Sequence, residues 1–318
     1  MKKRALDVIG LGLNATDTVL IVPVFPALGG KERVVSSFVH AGGQVATALV
    51  TCQRLGLRAR YIGKVGDDAG GRIQLKSLKS EGVDVRYTRV VRDTPNQFGH
   101  ILVDRATGER TVLWDRDARL TLSPEELTER SITAGRILHL DGCDVEAALE
   151  AARWARRAHI PVVADIDTAY EKIETLFPYV DYLVASTGFL PAFTGQADPF
   201  RAIQSMAEEY KMKVAGMTLG RDGALVYQEG RFHYSAGFVV EAVDTTGAGD
   251  VFHGGFIYGL LAGWEIERIL DFANAMAALN CTALGARGGI RTRAEAENLI
   301  ARGPRRVNPA YHAKGKPA

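Results

Sequence analysis

Short apolar runs alternate with amphipathic helical patterns along most of this chain, and that rhythm leaves few folds open. "ALDVIGLGL" is followed by "GGQVATALVTCQRLG" and then "ARYIGKVG". Later "ILHLDG", "VEAALEAARWARRAH", "IPVVADID", "VDYLVAS", "DPFRAIQSMAEEYK" and "VAGMTLG" repeat the pattern. Continuous apolar strands separated by helices are the mark of βαβ units, whose sheet is mostly parallel and covered on both faces. The expectation is an α/β fold with a central, mostly parallel sheet flanked by helices. No internal repeat or long linker interrupts the rhythm. One main domain is therefore expected over residues 1–303, with a basic, flexible tail over 304–318.

Two stretches break the alternation. "ERVVSSFVHAGG" and "YTRVVRDTPNQFGHILVDRATGERTVLWDRD" alternate with period two, carry the hairpin signal "ATGER", and have no adjacent helix long enough for a crossover. They predict a small antiparallel β lid, from about residues 32–41 and 87–115, projecting from the parallel core. Ligands of open parallel sheets bind beyond the carboxyl ends of the strands. "GLGLNATD", the "DID" of Asp165 to Asp167, "TLGRDG" from Thr218 and the loop ending at Asp250 all fall at such ends. They are distant in sequence but share one expected sheet edge, which predicts a single cleft.

Composition narrows the class. A hydrophobic content of 47% and a charged content of 24% in 318 residues suit a soluble globular protein. The net charge of +2 is concentrated in Arg302, Arg305, Arg306, Lys314 and Lys316, without which the body turns mildly acidic. A nucleic-acid role is not expected. "MKKRALDVIGLGL" opens like a secretory signal, but Asp7 interrupts a short apolar run and no small-residue cleavage site follows. No run approaches membrane-spanning length. Cys52, Cys143 and Cys281 are far apart and form no CxxC pair, which points to a reducing cytoplasm and away from structural zinc.

The residues with chemistry begin with "DTTGAGD", residues 244–250. Val251, Phe252, Phe256, Ile257 and Leu260 follow it at helical spacing. A loop of this kind opening a helix offers unpaired N–H groups and a partial positive charge to an anion, and its glycines allow close approach. A carboxylate at Asp250 suits that place if it accepts a proton, although an acidic first turn also serves as a simple cap. Gly42-Gly43 before a helix admits a polyol ligand or forms a tight turn. Asp17 is able to accept sugar hydroxyl protons or to cap a turn. "GLG" at Gly10 to Gly12 lacks the third glycine of a dinucleotide fingerprint, and no Walker lysine motif occurs. His253, three residues beyond Asp250, is expected to be a packing histidine. His100, His139 and His233 form no ligand set.

Together these segments resemble the PfkB/ribokinase family of small-molecule kinases. "DTTGAGDVFHGGF" is similar to its C-terminal signature, and "GGQVATALVTCQRLG" with "YIGKVGDDAGG" is similar to its N-terminal one. "GLNATD", "TLGRDGALVY" and "ALGARGGI" fall in the family's order, so the likeness spans roughly residues 5–300. The resemblance implies a ribokinase-like fold and ATP-dependent phosphorylation of a hydroxyl on a sugar or sugar derivative, with ATP and Mg²⁺. Asp250 would be the general base, and the N–H groups of Gly247, Ala248 and Gly249 the anion hole. Asp17, Gly42 and Gly43 would hold the substrate, with Asn14 beside them. Thr218, Gly220 and Gly223 would line the nucleotide site, with Asn280 near it. Asp244 and Thr246, with carbonyls near Asn280, Ala283, Gly285 and Gly289, resemble the K⁺ site of many relatives, for which Arg287 is a conceivable substitute. Relatives often pair their lids in a homodimer, and Val34, Val35 and Phe38 offer an apolar outer face for that.

Two departures bear on specificity. Thr47 stands where relatives commonly carry an asparagine that touches the sugar, which predicts an altered substrate contact. This form resembles a branch that includes sulfofructose kinases, with Lys31 as the candidate to meet an anionic substituent. Ser186, Thr187, Gly188 and Phe189 replace the usual "NxxE", so Mg²⁺ would rely on nucleotide phosphates and water. The alternatives are a nucleoside kinase, with Trp114, Phe38 and Phe98 forming a base slot, and a non-catalytic sugar-binding regulator.

Overall fold

The structure, a computed structural model, describes residues 4–312. Its strands run in chain order as β1 (Val8–Leu11), β2 (Ala15–Val22), β3 (Ser36–Gly42), β4 (Ala59–Gly66), β5 (Asp84–Val91), β6 (Phe98–Asp104), β7 (Arg110–Asp115), β8 (Ile137–Leu140), β9 (Val162–Ala164), β10 (Tyr182–Ala185), β11 (Val214–Thr218), β12 (Ala224–Gln228), β13 (Arg231–Ser235), β14 (Gly237–Phe238) and β15 (Arg305–Arg306). The main sheet has nine strands in the order β13-β12-β11-β10-β9-β8-β1-β4-β5. Its pairs from β5 across to β11 are parallel, and β12 and β13 add an antiparallel edge.

The central strands β1, β8 and β9 are buried along their whole length, as their unbroken apolar runs require. One face is covered by the helices Val145–Arg157 and Pro199–Tyr210, with Ile203, Met206 and Phe177 in the core. The other face is covered by Gln44–Arg54, Ala248–Ala262 and Ile266–Asn280, around Phe252, Phe256 and Phe272. Each fully buried phenylalanine contributes about 1.5–3 kcal/mol of apolar transfer energy. Gly254 is a glycine for a packing reason. A Cβ there would collide with the Thr51 side chain of the crossing helix Gln44–Arg54.

The lid differs from the expected one in two respects. It is a four-stranded sheet of order β3-β2-β6-β7, and β2 pairs with β6 in parallel, so the sheet is mixed rather than antiparallel throughout. The stretch 87–91 lies in β5, the outer parallel strand of the main sheet, and not in the lid. The backbone turns out of β1 through residues 12–14 and continues as β2, so one apolar-looking segment serves both sheets. Val19 and Ile21 of β2 pack with Ile101 and Val103 of β6, a period-two face closed by Leu284.

The tail also departs from expectation over its described part. Arg305 and Arg306 pair with Gly237 and Phe238, the Arg305 guanidinium lies 3.7 Å from the Phe238 ring centroid, and Tyr311 packs against Phe200 and Tyr234. Lys314 and Lys316 lie outside the described residues. Among the described residues no helix is long and apolar enough to cross a membrane.

Candidate active site

The carboxyl ends of the strands and the inner face of the lid enclose a cavity of about 520 Å³. Leu13 follows β1, Cys143 follows β8, Asp165 and Asp167 follow β9, Ser186 follows β10 and Thr218 ends β11, and all of them line it. Gly247, Gly249 and Asp250 close the floor, while Asp17, Gly99, Arg110, Val112 and Trp114 descend from the lid. The single cleft expected from strand ends is therefore present.

The helix Ala248–Ala262 starts at Gly247, whose φ of 75° lies in the left-handed region that favours glycine. A Cβ at Gly247 would also collide with the Ala286 carbonyl. This places Asp250 in the first helical turn. Burial pushes its carboxyl up to about 7, helped by the charge of Asp165 and opposed by His253 and Arg110. Among the described residues no donor is hydrogen-bonded to that carboxyl, which leaves it open to a ligand proton. The Ala248 N–H turns back to the Thr245 carbonyl at 3.3 Å, whereas Gly247 and Gly249 face the cavity.

Asp17 has similar character. A Cβ at Gly42 would collide with its Oδ2, and one at Gly99 would lie 2.6 Å from its Oδ1, so two glycines make the space for this carboxylate. Burial pushes it up to about 6, against the opposing charge of Arg287. Gly43 has φ 89°, and a Cβ there would collide with the Asn14 Cα, so both glycines of the pair are sterically required.

Several expected substrate contacts fall elsewhere. Thr47 is fully buried, and its hydroxyl accepts from Arg287 Nε at 3.1 Å, so it faces a side chain from the far end of the protein and not the cavity. Arg287 continues to the Ser77 hydroxyl at 2.8 Å and the Gly42 carbonyl at 2.7 Å, which Gln74 also holds at 2.6 Å. Burial lowers its guanidinium to about 10. Asn14 is buried with its amide N–H groups on the Tyr61 hydroxyl and the Lys64 carbonyl. Lys31 sits on the exposed loop before β3, outside the cavity lining.

On the other side, Thr218 lines the cavity and its carbonyl accepts from the Thr187 hydroxyl at 2.6 Å. Gly220 (φ 57°) has open space around it, whereas a Cβ at Gly223 would collide with the Ser235 carbonyl, so Gly223 joins two backbones. Asn280 is fully buried behind the loop and holds the Thr246 and Ala286 carbonyls and the Gly289 N–H, not the cavity surface. Asp244 accepts from the N–H groups of Thr246 and Gly285, both at 2.8 Å. The Thr246 hydroxyl is buried and has no hydrogen-bond partner among the described residues. Ala283 follows Asn280 in the same loop, its N–H on the Asn280 carbonyl.

Behind Asp250 lies a cluster that sequence patterns did not reveal. His253 reaches Asp165 Oδ2 at 3.2 Å, the Gly249 carbonyl at 2.9 Å and the Val184 carbonyl at 2.9 Å, and its ring stacks on His139. Burial holds both histidines below the ordinary range, and Asp165 well above the ordinary carboxylate range. His253 thus packs as expected but orients Asp165, and no bond joins it to Asp250. Arg110 was missed too, although the alternation of "RTVLW" could have placed it on the lid's inner face. Among the described residues no group of three or more His, Cys, Asp or Glu side chains is arranged to hold a metal ion.

Comparison with known proteins agrees with this geometry. The family model described as "pfkB family carbohydrate kinase" matches residues 13–293. An ATP-dependent ribose-1-phosphate kinase of Halopiger xanaduensis is 32% identical over 85% of this chain and 90% of its own length. The ribokinase of Bacillus subtilis is 29% identical over 91% and 98%. The ribokinase structure of Thermotoga maritima superposes with a TM-score of 0.79 at 27% identity, covering 93% of this chain and all of that one. A protein of Agrobacterium tumefaciens provisionally called a ribokinase reaches 0.87 at 28% identity, with 93% and 97% coverage. Cavity, helix start and relatives converge on one conclusion: this chain belongs to the PfkB/ribokinase family and is a carbohydrate kinase.

Proposed function

We propose that the protein transfers the terminal phosphoryl group of ATP to a hydroxyl of a sugar or sugar derivative, with Asp250 as general base. The observation that carries this reading is the Asp250 carboxyl on the cavity floor, without a protein donor among the described residues and facing the lid that holds Asp17; burial also pushes it up to about 7. A base of that pKa near neutral pH combines a useful ionised fraction with real proton affinity. Asp17 accepts from sugar hydroxyls and fixes the ring. Gly247 and Gly249, together with the partial positive end of the helix and the Ala248 N–H if its long bond to Thr245 opens, receive the charge that develops on the migrating group. Thr218 and Gly220 border the nucleotide.

The hard-oxygen character of Asp167 and Ser186 suits an Mg²⁺ held mainly by ATP phosphates and water, where the ion neutralises phosphate charge. The partnerless buried Thr246 hydroxyl beside Asp244 suits a monovalent cation that would fix the shape of the phosphate loop. The lid is read as a two-fold contact between copies, since Val39 and Leu113 are exposed on one face of it and Phe38 on the other. The three free cysteines suit a cytoplasmic setting. Trp114 and Phe98 on the cavity wall support a second reading, in which a nucleoside base stacks there. Coupled ADP release with Mg-ATP against neutral sugars, sugar phosphates, sugar acids and nucleosides tests both readings. Turnover confined to nucleosides would replace the first by the second.

A further inference from the structure

The lid strand β7 alternates across the sheet. Arg110, Val112 and Trp114 face the cavity, while Thr111 and Leu113 are not among its walls. Arg110 donates from one guanidinium nitrogen to the Thr245 hydroxyl at 2.9 Å, and among the described residues no carboxylate pairs with it. A guanidinium carries five N–H donors in a planar fork, so among the described residues most of the capacity of this exposed, cavity-lining arginine is not taken up by the protein. The other cations nearby are engaged. Arg116 is held bidentately by Asp144 at 2.8 and 2.9 Å and reaches the Leu120 carbonyl. Arg287 is buried beneath Gly42. Arg110 is close enough for its charge to act on both Asp17 and Asp250. A sugar whose hydroxyls meet those two carboxylates therefore has another part of the same molecule within the arginine's reach.

We propose that Arg110 binds an anionic group carried by the sugar itself, a phosphate ester or a carboxylate, so that the acceptor is a charged sugar and not a neutral one. The proposal rests on the kinase reading above. A fork that matches phosphate and carboxylate oxygens bidentately explains why the lid presents an arginine here, where a neutral sugar needs only the hydroxyl partners already present. Because the arginine is on the lid, the anion draws the lid down over the ring. The transferred phosphoryl group is a distinct anion, and it is left to the helix start at Gly247.

The test compares charged and neutral acceptors in the wild type, Arg110→Gln and Arg110→Lys. Ribose is paired with ribose-1-phosphate and glucose with gluconate, so that the two arms separate a phosphate ester from a carboxylate. The wild type is expected to favour one charged member over its neutral parent by more than about thirtyfold in kcat/KM. Arg110→Gln is expected to reduce that preference by about ten- to a hundredfold, through KM, the range for a charge-assisted hydrogen bond. Arg110→Lys keeps part of it, because the charge remains while the fork is lost. Calorimetry without nucleotide gives a readout separate from turnover, and the charged sugar is expected to bind Arg110→Gln ten- to a hundredfold more weakly. A wild-type preference for the neutral parents overturns the proposal and leaves the kinase reading intact. So does an equal loss of kcat on charged and neutral sugars, which would assign Arg110 to the migrating phosphoryl group. Tight binding of charged sugar with no ADP release on any acceptor would instead remove the kinase reading.

Discussion

Replacing Asp250 by asparagine should abolish turnover and at the same time stabilise the protein. In the folded state burial raises the carboxyl from 3.8 to about 7. That rise of about three units corresponds to roughly 4 kcal/mol of disfavoured ionisation at pH 8, as a ceiling. The sign follows from proton binding. Between about pH 4 and 7 the folded state holds a proton at Asp250 that the unfolded state has released, so stability falls as pH rises through this window. Asparagine cannot ionise and keeps the shape, but it leaves a buried amide in place of a carboxyl, so a gain of about 1–3 kcal/mol is expected. Urea unfolding of wild type and Asp250→Asn at pH 8 and pH 5 measures it. The difference should be largest at pH 8 and less than half as large at pH 5. The same variant should lose at least about a hundredfold in kcat with ATP affinity nearly intact. A variant less stable than wild type at pH 8, or a gap independent of pH, would refute the argument that ionised Asp250 is held against its own desolvation.

The acid limb of kcat/KM should have its midpoint near pH 7, with activity falling tenfold for each unit below about pH 6, as the pKa of Asp250 requires; a limb centred near pH 4 would exclude Asp250 as the base. K⁺ should raise activity over a buffer containing only a large organic cation, because the Asp244 and Thr246 corner has a buried hydroxyl awaiting a partner; equal rates in both buffers would count against that site. Phe38→Glu should weaken self-association in sedimentation and raise the sugar KM together; a wild type that sediments as a fully active monomer at micromolar concentration removes the lid contact.

Much of this could be read from local pattern, because local pattern is what determines it. Strands buried on both faces need unbroken apolar runs, and Val8–Leu11 and Ile137–Leu140 are such runs. The helix start just before Asp250 declared itself through its glycines and the apolar spacing that follows. The lid was harder. β2 continues from β1 after only three residues, so no turn signal separated two strands that belong to different sheets. β5 is an edge strand with one half-exposed face, and its alternation imitates a lid strand. Thr47 is placed away from the cavity lining for a different reason. Its partner Arg287 is 240 residues away, and no local pattern announces a contact at that distance. Arg110 shows the opposite failure, since its inward direction follows from strand alternation alone once β7 is recognised.

The bond from Arg287 to the Gly42 carbonyl joins residues 245 positions apart, and this has a consequence for vectorial synthesis. At about 5–20 residues per second, roughly 12–50 s pass between emergence of Gly42 and of the side chain that pins it. During that interval the helix Gln44–Arg54 also lacks its later partner, Ala248–Ala262, so the apolar surface of one whole layer waits uncovered. The nascent chain therefore has Asp17 and Gly43 on one side of the cavity long before it has Asp250 on its floor. The cavity is completed only at that late moment, when the last quarter of the polypeptide folds back onto the first.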